Sequence, residues 1–457
     1  MNSVNKINTP SAPGIPNHWQ LKKLGEVGEI ISGGTPSTKV AAYWNGTISW
    51  ITPADLSCYD KKIITKGRKS ITVIGLKNSS SRLLPKGSIL FSSRAPIGYV
   101  AIAGNEVCTN QGFKSIIPDK SILSEYLFYF LKASKQNAEK VASGTTFKEI
   151  SMKAFSQLEI PLPPLPEQQA IVAKIEELFS ELDKGVESLK TAQQQLKVYR
   201  QSLLKWAFEG RLTSAYFDKA QHEPLSGRPR LLSEAETSGN MAAEEKEKYG
   251  NNELPEGWIE TEIKNVCLDI KVGIVIKPTN FYSKTGKGIK AFRSANVREL
   301  KINDADWVYF TKEANEINHR TKLNFGDVLI VRSGYPGTSC IVSKEFEGCN
   351  AIDILIATPN KEKILPEYLC YFNNSPLGKG LFILKSRGVA QKHLNVGEYS
   401  KLVVHIPSLK EQQRIVDELE SRLTVCDKIE KTINEGLQQS EALRQSILKR
   451  AFEGRLV

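Results

Sequence analysis

The stretch RQSLLKWAFEGRL at residues 200–212 returns as RQSILKRAFEGRL at residues 444–456, and the match runs without a gap from 144–212 to 388–456. A period of about 240 residues is far longer than the roughly 20 to 50 of solenoid repeats, so the duplicated unit is a domain. Upstream the likeness thins but stays readable. PNHW at 16–19 is answered by PEGW at 255–258, and WITPADL at 50–56 by AFRSANV at 291–297. Each unit therefore has a variable front and a fixed back.

The fixed back reads as a helix with a heptad seam. Ile171, Ile175, Leu178, Leu182, Gly185, Leu189, Ala192, Leu196, Tyr199, Leu203 and Trp206 follow one another at alternating steps of four and three, the spacing of one stripe on a supercoiled helix. Pro161, Pro163, Pro164 and Pro166 end the preceding segment and set the helix start, and Gly210 supplies the stop. The second copy carries Val416, Leu419, Leu423, Cys426, Ile429, Ile433, Leu437, Leu443 and Ile447, a less regular stripe interrupted near Ser440. At about 1.5 Å per residue each helix spans on the order of 65 Å, too long to lie wholly on its own domain. Pairing the two helices as a coiled coil buries both stripes. The alternative is two independent helices, each on its own globular core.

The fronts hold short apolar runs with turn residues between them. SILF at 88–91 and YVAIA at 99–103 are matched by DVLIV at 327–331 and TSCIV at 338–342, which predicts two strand pairs. Short helical segments at 125–133 and 367–373 make each front a mixed α/β (α+β) domain. The expected plan is a first head at 1–165, a long helix at 166–212, a polar linker at 213–254, a second head at 255–410 and a second long helix at 411–457.

Composition narrows the function. No apolar run approaches the roughly 18 residues of a membrane helix, and the first residues are polar, so a cytoplasmic protein is expected. Seven cysteines without a CxxC pair fit reduced core residues better than a zinc ribbon or a disulfide framework. The net charge of +12 is concentrated in the fronts: residues 16–165 carry 19 Lys and Arg against 10 Asp and Glu, and residues 251–410 carry 22 against 17. Two basic blocks suit nucleic acid, although a basic balance alone is also common among proteins that bind none.

Catalytic motifs are missing from the pattern. The only ProPro, Pro163-Pro164, lies among apolar residues rather than in an adenine-methyltransferase motif, and TGKG at 285–288 and LGKG at 377–380 lack the spacing and hydroxyl of a nucleotide-binding loop. The five histidines, His18, His222, His319, His393 and His405, form no metal-ligand cluster. Neither a catalytic centre, a cofactor nor a metal is expected. What remains are loops of small hydroxyl residues, glycines and cations suited to phosphates and base edges. In the first unit they hold Ser32, Thr35, Lys39, Ser93, Arg94, Thr145, Thr146 and Lys148; in the second, Arg293, Asn296, Arg332, Ser333, Arg387, Gln391 and Lys392. Arg94 is the first choice for a two-pronged contact with guanine.

At this point the chain resembles the specificity subunits of type I restriction and modification systems. The resemblance covers nearly the whole sequence and rests on PNHW, LGEV at 24–27, WITPADL, KGSILFSSR at 86–94, LPPLPEQQAIV at 162–172 and the doubled AFEGRL. It implies two target-recognition domains held apart by antiparallel helices in a pseudo-twofold repeat, one for each half of a split, asymmetric site in double-stranded DNA. It also implies partners: two methyltransferase subunits on the helices and two motor-nuclease subunits for cleavage. One departure stands out. SGGTPS at 32–37 is answered by KVGIVIKP at 271–278, which leaves the corresponding contact of the second head open. Two rivals stay open on the sequence alone: a single-chain modification enzyme or nuclease, and a coiled-coil scaffold that reads no sequence.

Overall fold

A computed structural model describes residues 15–94, 96–143, 148–213, 254–284, 286–385 and 394–457. Its two compact units do not follow the linear order of the chain. The first joins Met1–Lys190 to Asn434–Val457, and the second is Thr191–Ile433. Each unit thus takes the first part of one long helix and the last part of the other.

In the first unit, strands β1 (Gly28–Ser32), β2 (Ile89–Ser93), β3 (Ile97–Ala103) and β4 (Lys114–Pro118) form a sheet in the order β1-β4-β2-β3. These neighbours are antiparallel, and Ile63–Ile64 adds a short parallel edge to β3. Every residue of β2 is buried, as expected of a central strand covered on both faces. The predicted pairing of 88–91 with 99–103 is present as Ile89↔Ile102 and Phe91↔Val100. One face packs on the helix Ser124–Ala133, whose Tyr126, Leu127 and Phe130 are buried.

The long helices are α1 (Leu165–Phe208) and α2 (Leu409–Phe452). Both open on the same device. Gln168 is fully buried, donates to the carbonyls of Ser121 and Pro163 at 2.9 Å each, and accepts from the Leu123 amide at 2.9 Å. Gln412 repeats this on Lys363, Pro407 and Leu365. With its three partners in place the buried amide leaves no polar atom unsatisfied, and the directions of its bonds fix the helix start on its head. Gly210 and Gly454 end the helices at φ +70° and +67°, the left-handed conformation glycine adopts without strain.

Within the first unit the helices pair antiparallel: Asp183 meets Arg444, and further along α1, Leu189 faces the earlier Gly436 of α2. Ile171 and Ile175 of α1 and Ile447, Leu448, Ala451 and Phe452 of α2 enter the core of this head. The second unit shows the same arrangement with the roles exchanged. There Leu203, Leu204, Ala207 and Phe208 of α1 join Ile415, Val416, Leu419 and Leu423 of α2, and Arg200 binds Asp427 at 2.6 Å and Glu430 at 3.0 Å. The expected stripes need correction on both helices: Ile429 and Leu443 of α2, and Gly185 and Tyr199 of α1, are exposed. Charged pairs between the helices stand beside the two α2 positions, Arg200 with Asp427 and Glu430 next to Ile429, and Asp183 with Arg444 next to Leu443.

The second head is built on strands β5 (Cys267–Val272), β6 (Val328–Val331), β7 (Ser339–Ile341) and β8 (Ile354–Pro359), antiparallel in the order β5-β8-β6-β7. It packs on the helix Pro366–Asn374 through Tyr368, Leu369 and Phe372. Five of the seven cysteines are buried, Cys267 is half-buried and Cys58 is exposed. No helix among the described residues is long and apolar enough to cross a membrane.

Candidate nucleic-acid interface

One end of the first head's sheet gathers polar side chains. β1 ends at Ser32, which stands opposite Lys114 at the start of β4, and β2 ends at Ser93, where the chain turns towards β3. The backbone of Arg94 forms a bridge with Glu149, and the Ile150 amide donates to the Ser93 carbonyl at 3.0 Å. This fixes the Glu149 carboxylate between two cations, Arg94 Nη1 at 3.4 Å and Lys114 Nζ at 3.3 Å. The Arg94 side chain remains 37% exposed. Its ion pair is long against the 2.7 to 2.9 Å of a strong charge-assisted bond, so the guanidinium can exchange the carboxylate for a phosphate or base edge at small cost.

The other candidates of this head fall into three groups. Ser32 and Thr35 are half-buried, and the Thr35 hydroxyl donates to the Gln111 side chain. Lys39 and Lys148 are exposed, and Thr145 and Thr146 lie outside the described residues. Ser93 corrects the sequence reading: it is fully buried beneath the rim, so its hydroxyl has no access to a ligand on the surface.

In the second head the same hairpin carries a different arginine. The Leu394 amide donates to the Arg332 carbonyl at 3.1 Å, as Ile150 does to Ser93, and Gly98 and Gly337 close the two hairpins at φ +96° and +90°. Arg332 thus occupies the place of Ser93, and Ser333 that of Arg94. The Arg332 side chain is only 15% exposed and is held from two sides, Nε donating to the Leu394 carbonyl at 3.0 Å and Nη1 to Asp353 Oδ1 at 2.5 Å. Ser333 beside it is half-buried. Arg387, Gln391 and Lys392 lie outside the described residues.

Arg293 and Asn296 belong to a turn with its own purpose. Asn296 is fully buried; its Oδ1 accepts from the Arg293 amide at 3.0 Å, and its Nδ2 donates to the carbonyls of Asn303 and Ala305 at 3.2 and 2.8 Å. With these bonds made and no exposure, Asn296 holds the turn and does not face a ligand, contrary to expectation. Asp55 does the same in the first head, accepting from the amides of Thr52 and Arg68 at 2.8 and 3.0 Å. Arg293 is half-buried and donates to the Asp306 carbonyl.

Three charged residues of these rims escaped sequence reasoning: Lys114, Glu149 and Asp353. Lys114 did leave a signal, a single charge inside the apolar run FKSII at 113–117. Glu149 and Asp353 left none, because their significance lies in cations distant along the chain.

These paired frames match a known family over most of the chain. The family model described as "Type I restriction modification DNA specificity domain" matches twice, at residues 16–196 and 255–439. The MjaIX specificity subunit of Methanocaldococcus jannaschii is 34% identical over 301 residues, covering 61% of this chain and 69% of the relative. The EcoKI specificity subunit of Escherichia coli K12 is 25% identical over 467 residues, covering 98% and 91%. Among solved structures, a chain from work on complex assembly and conformational transition of the type I R-M system has the same fold, with TM-score 0.70, 19% identity and coverage of 98% of this chain and 100% of that one. The HsdS subunit of Thermoanaerobacter tengcongensis follows at TM-score 0.53 and 19% identity, covering 96% and 98%. The match of one DNA specificity domain to each of the two repeated units places this chain in the family of type I restriction-modification specificity subunits, the non-catalytic, DNA-binding component of a complex with partner subunits.

Proposed function

We propose that the two heads read the two unlike halves of a split, asymmetric DNA site, and that the paired helices carry two methyltransferase subunits, joined in the cytoplasm by two motor-nuclease subunits when the target is to be cut. The observation that supports this reading is one hairpin frame presented twice with different chemistry. Arg94 with Glu149 and Lys114 stands on the first copy, and Arg332 with Asp353 on the second. Identical frames accept the same partners and bind DNA alike, while unlike rims select different bases. Among the candidate contacts, Arg94 suits base reading, and the exposed Lys39 and Lys148 suit phosphates.

Co-expression with the methyltransferase subunit, followed by mapping of methylated bases, tests the proposal. The expected result is modification confined to one motif with two dissimilar halves and a fixed spacer. Two identical halves, or a continuous motif, would overturn it.

A further inference from the structure

The sequence departure at 271–278 has a structural counterpart on the second head. Where the first head continues from β1 into half-buried Thr35 and buried Pro36, the second continues from β5 into Val275, 50% exposed, and Ile276, 78% exposed. Tyr335, at the turn between β6 and β7, is 83% exposed. Two bonds tie the loops to one end of the sheet: Asp353, just before β8, donates its amide to the Ile274 carbonyl at 3.1 Å, and its carboxylate holds Arg332 at the start of the turn that bears Tyr335. Lys277 follows at once, exposed and in the left-handed conformation at φ +44°, which is uncommon for a residue with a side chain. It turns the chain into Pro278 and ends the apolar loop.

Two exposed aliphatic side chains and an exposed aromatic at one end of a sheet, beside an exposed lysine, are not what a solvated loop requires. On a DNA-reading head this chemistry fits a base edge that is itself apolar. In the major groove that edge is the 5-methyl group of thymine, with the lysine able to meet the flanking phosphates.

We propose that the second head reads its half-site in part through thymine methyl groups, with Ile276 and Val275 as the contacting residues and Tyr335 closing the contact. This rests on the reading of each head as a half-site reader. That reading is tested separately by the methylation map, which fixes the two half-sites before the experiment below begins.

The experiment uses the full chain in complex with its methyltransferase subunits and synthetic duplexes carrying the mapped site. Thymines of one half-site at a time are replaced by deoxyuridine, which removes only the methyl group and keeps every Watson–Crick bond. Replacement in the half-site of the second head should weaken binding about fourfold per contacted methyl, the factor that corresponds to one buried methylene. Replacement in the other half-site serves as the control and should leave affinity within twofold. Ile276→Ser, at a position so exposed that folding is not at risk, should weaken binding to the thymine duplex and shrink the difference between thymine and deoxyuridine, and Ile276→Val should retain more of it than Ile276→Ser. A second half-site without thymine, equal binding of both duplexes by the unaltered complex, or equal weakening on both duplexes by Ile276→Ser would each overturn the assignment.

Discussion

The ring of Phe452, at the end of α2, stands edge-on against Tyr126 of the first head with 5.2 Å between centroids. Phe130 meets the same ring at 5.4 Å. In the second unit Phe208, at the end of α1, meets Tyr368 at 5.0 Å and Phe372 at 5.6 Å. The doubled AFEGRL is therefore an anchor, and each head's core contains a residue supplied by the far end of the opposite repeat. Phe452→Ala should destabilise the first unit by about 3 to 5 kcal/mol, the usual cost of emptying a buried phenylalanine site. Hydrogen exchange should then show faster amides along Ser124–Ala133 and unchanged ones along Pro366–Asn374, with Phe208→Ala giving the mirror result. Equal loosening of both regions would contradict two separately completed cores.

The two rim arginines should respond differently to removal. Arg94 has one long ion pair and considerable exposure, whereas Arg332 is nearly buried between a carbonyl and a carboxylate. Arg94→Ala should leave the melting temperature within a degree or two and weaken specific DNA binding by about 1 to 3 kcal/mol, relaxing one half-site. Arg332→Ala should lower the stability of the second unit, because the nearly buried guanidinium ties the Leu394 carbonyl to Asp353. Thermal melts alongside binding titrations on matched and mismatched half-sites separate the two. A melting loss for Arg94→Ala comparable to that for Arg332→Ala would remove the distinction.

How much of this was legible follows from how far apart the cooperating residues lie. The helices and the strand pairs were readable because periodicity is a local signal, and the duplication was readable because AFEGRL repeats nearly letter for letter. The partition of each helix between two units was not, since a heptad stripe states that a face is buried and not against what. Ser93 and Asn296 misled for a related reason: hydroxyls and amides in turns serve the backbone as often as a ligand, and only burial decides. The register shift that puts Arg332 in the place of Ser93 became visible only through the equivalent amides of Ile150 and Leu394.

Two glycines inside the long helices make opposite demands. Nothing lies within 4 Å of a side-chain carbon added at Gly185, whereas one added at Gly436 would sit 3.2 Å from Leu189 Cδ1. Gly185→Ala should raise stability by about 0.5 to 1 kcal/mol through helix propensity alone. Gly436→Ala should gain less, because Leu189 has to shift. Urea titrations of the two variants, read as midpoints, check the order. A larger gain at Gly436 would mean that the seam there is looser than the geometry indicates.

His405 carries a pH dependence. It lies in the strand Val403–Ile406, with Nε2 3.8 Å from Glu260 Oε2 on the paired strand. Burial pushes its pKa below the ordinary 6.5, and the neighbouring Glu260 only partly opposes this. The unfolded chain therefore takes up a proton that the folded unit resists. Stability from this residue is complete above 6.5, declines as pH falls through 6.5, and levels off below the folded-state pKa. Urea midpoints measured between pH 8 and pH 5 should fall less steeply for His405→Gln than for the unaltered chain. Parallel curves would show that other groups set the acid response.

The length of the helices should set the preferred spacer of the DNA site. Both α1 and α2 have 44 residues, and within each unit they pair antiparallel through Asp183–Arg444 and Arg200–Asp427. Insertions of seven residues after Ala192 and after Gly436 keep the packing stripe in phase and lengthen each helix by about 10 Å. That corresponds to about three base pairs at roughly 3.4 Å per step along a strand. Both half-sites should then be read as before while the preferred spacer grows, although about three base pairs also turn one half-site by roughly 100° around the duplex and weaken binding somewhat. Selection from a library of duplexes with randomised spacers reads the outcome directly. A folded insertion variant that keeps both half-sites and the original spacer would show that the helices do not measure the distance.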